Sequence, residues 1–185
     1  MSERLIARML GPLARSVGNM LARGTVVLAN SAGKMQSLQI RLLSGEAKDG
    51  VEHFEPYGFT SHPLSGAEHV TLFFGGNRSH GVTIVVADRR YRLKGLADGE
   101  VALHDDLGHQ VHLTRAGIVI RGAGHPVVVT DTPKLRVEAD IEATGQIKDL
   151  CDAAGKTMSG MRDTYNSHTH PGDSGGTTGT PNQGM

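Results

Sequence analysis

The residues best placed to do chemistry are His168 and His170, in the run Tyr165-Asn166-Ser167-His168-Thr169-His170-Pro171-Gly172-Asp173. In extended chain residues i and i+2 point to the same side, so the two imidazoles stand next to each other. One chain then offers two nitrogen ligands, an incomplete metal site, whereas three chains around an axis offer six. An octahedral set of neutral imidazoles suits a borderline divalent first-row ion such as iron, nickel or zinc. Neutral rings are required, so acid releases such a metal. Pro171-Gly172 turns the chain away directly beyond. In a polar tail an HxH pair is an incidental spacing unless something brings copies of it together. The elements that would do so therefore decide the matter.

A second group, His104-Asp105-Asp106-Leu107-Gly108-His109-Gln110-Val111-His112, has the residue types of an acid/base or metal cluster. Its spacing argues otherwise. Asp105-Asp106-Leu107-Gly108 reads as a hairpin turn between Val101 to His104 and His109 to Leu113, and His109 and His112, three apart, face opposite sides of a strand. P-loop and HExxH motifs are missing. Phe54, Tyr57 and Phe59 lie beside Glu52 and Glu55 with no lysine or arginine among them, which disfavours base stacking and predicts core or subunit-contact packing.

Stepping outward to the whole chain, 185 residues hold one domain or two small ones. Glycine contributes 25 of them, about twice the ordinary share. Aromatics are 4% and tryptophan is absent, so a thin or self-associating architecture is expected in place of a large core. Lysine plus arginine and aspartate plus glutamate both number 19. The zero net charge gives no electrostatic basis for binding a phosphate backbone. Cys151 is alone, which excludes an intrachain disulfide. No apolar run reaches the length of a transmembrane helix, so a soluble chain is expected.

Residues 1–23 carry four arginines against Glu3. Leu5, Ile6, Met9, Leu10, Leu13, Val17 and Met20 or Leu21 recur near the helical period, which predicts an amphipathic helix, kinked or split at Gly11-Pro12, whose stripe docks on its own protein. From Gly24 the period becomes two. Leu38, Ile40 and Leu42 alternate with polar residues, and Val70, Leu72, Val82, Ile84 and Val86 mark further strands. A small OB-like barrel over 24–97 suits this spacing. Leu135, Val137, Ala139, Ile141, Ala143 and Ile147 then alternate with charged or polar neighbours for longer than an ordinary strand. A single copy cannot bury that apolar face. Chains wrapped around a common axis can, and closure also removes exposed edges, so 98–163 is expected to form an intertwined β-prism with three chains the simplest arrangement. Past Thr164 the composition predicts extended or disordered chain, 164–185, apart from the histidine pair.

Taken together, His53-Phe54-Glu55-Pro56-Tyr57-Gly58-Phe59-Thr60-Ser61, Phe73-Phe74-Gly75-Gly76-Asn77-Arg78, Asp88-Arg89-Arg90, Gly99-Glu100-Val101, the long alternating run and His168-Thr169-His170 resemble the Mu-type baseplate central spike proteins of contractile-tailed phages. The resemblance covers essentially the whole chain. It implies a non-enzymatic homotrimer with an N-terminal segment facing a baseplate hub protein, an OB-fold domain, a triple-stranded β-helix and a pointed apex. It further implies an iron ion held at the apex by His168 and His170 of three chains. Calcium and chloride ions also occur in related spikes, and no motif in this chain places them. The implied location is the virion, at the tip of the tail baseplate, after assembly in the host cytoplasm, and the implied target is the bacterial outer membrane. Rival readings are a spike of a related secretion or prophage injection system, an OB-fold nucleic-acid-binding protein, and a metal-dependent enzyme built on His104 to His112.

Overall fold

In the computed structural model, which describes residues 3–43 and 45–185 with side chains from residue 10 onward, helix α1 (Glu3–Asn19) precedes eight strands and a second helix. The strands are β1 (Leu21–Asn30), β2 (Gln36–Leu42), β3 (Ala47–His53), β4 (Glu68–Phe73), β5 (Gly81–Ala87), β6 (Val101–His104), β7 (Gln110–Leu113) and β8 (Ile118–Arg121), followed by α2 (Met158–Ser167). Two compact units divide at Val127 and Val128.

The first five strands close into a barrel in the order β1-β2-β3-β5-β4. Only the short β3–β5 pairing is parallel. This is the OB-like barrel that the period-two spacing predicts. Leu38, Ile40 and Leu42 of β2 fill its interior with Val26, Val51 and Phe73, each fully buried side chain contributing about 1.5–3 kcal/mol relative to exposure. A bulge in β1 between Val26 and Leu28 reverses the alternation there. Val26 and Ala29 therefore point inward, and Leu28 is thrown outward. Gly24, two residues earlier, has to be a glycine, because a Cβ there would lie 1.9 Å from the Arg41 carbonyl oxygen.

Strand β4 departs from the expectation. Its inward face is His69, Thr71 and Phe73, and Val70 and Leu72 sit half-buried on the outside. In β5 Thr83 is buried and Ile84 exposed. Antiparallel pairing of β4 with β1 and β5, with a register shift between Val70 and Thr71, fixes that phase. Three of the inward polar atoms meet one another: His69 Nδ1 lies 2.9 Å from Thr71 Oγ1, which lies 2.8 Å from Thr83 Oγ1.

The chain enters and leaves the barrel at opposite ends. Leu21 at the start of β1 pairs with Leu72 at the end of β4, while Ala87 at the end of β5 pairs with Glu68 at the start of β4. Helix α1 sits where the chain enters, against a 3-10 turn at Phe74–Gly76. Ser16 Oγ donates to the Gly75 carbonyl at 2.5 Å, and Arg78 donates to Asn19 Oδ1 at 3.1 Å. The helix runs continuously through Pro12 and is not split. Leu10, Leu13 and Val17 are exposed, so the stripe does not dock on its own barrel; the side chains of Leu5, Ile6 and Met9 lie outside the described residues.

Strands β6, β7 and β8 form an antiparallel meander. Val101, Leu113 and Ile118 pair across it, as do Leu103, Val111 and Ile120, so one face is wholly apolar. In the second unit the fourteen-residue alternation runs without strand pairing; among the described residues beyond β8 the only bridges are Lys148 with Thr157 and Pro171 with Thr177. A strand needs a neighbour for its N–H and C=O groups, and a single chain provides none there. Leu135, Val137, Ile141 and Ile147 are exposed.

Candidate functional site

His168 and His170 stand at the C-terminal end of α2. Thr157 starts that helix by accepting the Gly160 N–H on its Oγ1 at 3.0 Å, a cap that was present in the sequence but unread there, so the helix replaces extended chain through Ser167. His168 is the C-cap, already in extended backbone. The two imidazoles lie edge to face with centroids 5.0 Å apart. His168 Nδ1 is 2.5 Å from the Tyr165 carbonyl oxygen. A carbonyl only accepts, so Nδ1 carries a proton, and in the neutral ring the lone pair is then on Nε2, the arrangement by which a ligating imidazole is oriented. His170 is held by its backbone: its N–H donates to Thr178 Oγ1 at 2.8 Å and its carbonyl accepts the Thr178 N–H at 2.9 Å. The Pro171–Thr177 bridge closes the turn between them. These residues fit a borderline metal by donor type and tautomer. Among the described residues no group of three or more potential ligands gathers in one chain, and two imidazoles alone fall short of a metal's usual ligand number.

The His104 to His112 group has a structural role. Asp105 accepts the Leu107 and His109 N–H groups at 3.0 and 2.9 Å and contacts His109 Nδ1 at 2.5 Å, closing the turn between β6 and β7. The His109 contact, chiefly, holds the Asp105 carboxyl below its ordinary value. Glu100 accepts the Ala97 and Arg115 N–H groups and contacts His112 Nε2 at 3.1 Å. Those backbone donors lower its pKa most. Both carboxylates are thus occupied in pinning backbone.

The loop after β3 holds its aromatics outward. Glu55 accepts Ser61 N–H at 2.6 Å, Thr60 Oγ1 at 3.0 Å and Ser61 Oγ at 3.1 Å. Phe54, Tyr57 and Phe59 are exposed, so the core-packing expectation fails and subunit contact is left. Glu68 gathers charges that sequence reading missed. It binds Arg23 and Arg89, with Arg89 Nη2 to Oε2 at 2.7 Å, and these guanidiniums, Arg89 first, hold its pKa down to about 2. These partners are 45 and 21 residues from Glu68, so only the barrel's pairing brings them together.

Residues 23–90, which contain the barrel, match the family described as Bacteriophage Mu Gp45, N-terminal, and residues 162–182, which contain the histidine pair, match the GpV Apex motif. Over 96% of both chains the sequence is 34% identical to the baseplate puncturing device gp45 of Escherichia phage Mu. The chain belongs to the Mu Gp45 family of phage baseplate spike proteins. A second relative, the Mu-like prophage FluMu protein gp45 of Haemophilus influenzae, is 39% identical over 69% of each chain. The Mu Gp45 match ends at the last strands of the barrel and the apex match begins inside α2. The long alternating run between them is matched by neither family description.

Proposed function

We propose that this protein is the central spike of a contractile tail baseplate: a homotrimeric, non-enzymatic needle that meets and punctures the bacterial outer membrane when the sheath contracts. The observation that carries the reading is the apolar face of the β6–β8 meander. Val101, Leu103, Leu113, Ile118 and Ile120 are 46–71% exposed in one chain, a patch that a lone protein rarely leaves in water. Copies packed about a three-fold axis would cover it and give the unpaired run 135–147 its neighbours. The puncturing role rests on the name of the phage Mu relative, and the FluMu relative makes a prophage-derived device an equally natural setting for the same role. In this reading the N-terminal end faces the hub protein. His168 and His170 of three chains hold one iron ion, whose chemistry is to tie the chain ends together. The imidazole tautomer at His168 supports that reading, and calcium and chloride sites would have to lie elsewhere.

Sedimentation equilibrium with elemental analysis of the purified full chain tests both parts. A trimer carrying one metal per three chains is expected. Ile120→Asp should dissociate the trimer by placing a charge on the shared face. His168→Ala/His170→Ala should leave the trimer and lose the metal. Stoichiometric iron in the double variant overturns the apex assignment, and a metal-free monomeric wild type overturns the whole reading.

A further inference from the structure

We infer that α1 is the strand of a parallel three-helix coiled coil, so that the trimer is closed by helices at the end of the barrel where the chain enters. The inference rests on the trimeric reading above.

The stripe on α1, which Met20 extends one residue past the helix end at Asn19, has a specific phase. Leu10, Leu13, Val17 and Met20 are spaced three, four and three apart, the a, d, a, d pattern of a heptad, and Ile6 continues it in the sequence. A strict a/d seam is narrower than the stripe by which a helix packs on a globular surface, and it is the pattern that supercoiled helices share. All four side chains are exposed, at 43–60%. The rest of the helix is arranged around that seam. Ala14 occupies a flanking e position, small enough for close approach, and Arg15 falls at f, farthest from the axis, where like charges of three copies do not meet. Pro12 falls at c, on the outer side of the wheel, where its ring does not intrude on the seam.

The contacts of α1 with its own barrel come from a flanking and an outer position of the wheel, not from the a/d seam itself. Ser16, at g, donates to Gly75, and Asn19, at c, accepts from Arg78. Gly76 lies so close that a Cβ on it would come within 2.4 Å of the Ser16 carbonyl oxygen. The barrel thus fixes the helix's rotation while leaving the a/d residues uncovered. A symmetric oligomer repeats that orientation in every copy, which aims the same seam at the same axis. The occupant this geometry fits is a second and third copy of the helix.

The test uses the full chain in a Cys151→Ser background, with Leu13→Cys at d and, separately, Arg15→Cys at f, each treated with a short bismaleimide and run on a denaturing gel. Leu13→Cys should convert to covalent dimer, and Arg15→Cys should stay monomeric on the gel; both should sediment as trimers before treatment. Equal, low cross-linking of the two in a protein that sediments as a trimer refutes the coil and leaves the trimer standing. A monomer by sedimentation refutes the trimeric reading, and the coil with it. Leu13→Asp provides a second measure. It should abolish protection of α1 amides from hydrogen exchange while the barrel amides stay protected, and unchanged α1 protection overturns the inference.

Discussion

The buried chain His69, Thr71, Thr83 lends itself to a quantitative perturbation. Thr71→Val keeps the shape of the side chain and removes the hydroxyl that touches both neighbours. His69 Nδ1 loses its 2.9 Å partner and Thr83 Oγ1 its 2.8 Å partner. His69 Nε2 is buried and makes no well-formed hydrogen bond, with only the Arg41 carbonyl beside it, so the variant imidazole would lose its one good partner. Each stranded buried group costs about 1–3 kcal/mol, and the two together about 2–4 kcal/mol, since Thr83 can in part turn to another acceptor. Amide hydrogen exchange across β4 and β5 reads that cost locally, without requiring the protein to unfold reversibly. Exchange of the slowest amides there should rise roughly 30-fold to a thousandfold. Making the interior apolar throughout, with His69→Leu/Thr71→Val/Thr83→Val, should recover much of the loss, because no polar group is then left unpaired. A change below about threefold in Thr71→Val would refute the idea that this chain of contacts is energetically closed.

The same amides should report acid sensitivity. Burial pushes the His53 and His69 imidazoles below their ordinary value, opposed by Glu55 at the first and by the Arg41 carbonyl at the second. Folded values below unfolded ones mean that the unfolded chain binds protons first, so the barrel is at full stability above the unfolded value of about 6.5 and loses it as pH falls through and below that point. Exchange-derived stability that stays level on acidification to about pH 5 would contradict this; the carboxylates act only lower in the scale. At Glu68, carboxyl carbon shifts followed by NMR should titrate near 2. Arg89→Ala should move that midpoint upward, and a wild-type midpoint in the ordinary carboxylate range would show that the guanidiniums do not engage in solution.

The barrel was largely legible in the sequence because β2 buries a strict alternation. Its phase in β4 was not, since Glu68-His69-Val70-Thr71-Leu72-Phe73 has apolar residues on both faces, and only pairing with β1 and β5 selects His69, Thr71 and Phe73 as inward. The turn at Asp105 to Gly108 was readable from residue type alone. Helix α2 was missed because the Gly- and Ser-containing run Met158-Ser159-Gly160 has weak helix propensity, and the signal that starts it is a single capping threonine. His168 and His170 were legible as a pair by their spacing. The Tyr165 carbonyl that sets the tautomer of His168 was not, because it depends on where the helix stops.

The opposite placement of the barrel's two chain ends has a mechanical meaning. Load arriving through α1 reaches β1 directly, since the Phe73 N–H donates to the Met20 carbonyl at 2.7 Å right at the joint. It leaves through β5 at the far rim. Between the two, it crosses the β1–β4 and β4–β5 ladders as shear, which loads many hydrogen bonds in parallel. Had both ends emerged at one rim, the same push would have peeled the ladder one bond at a time. In the spike proposed above, this strand order would make the barrel a strut in line with the thrust.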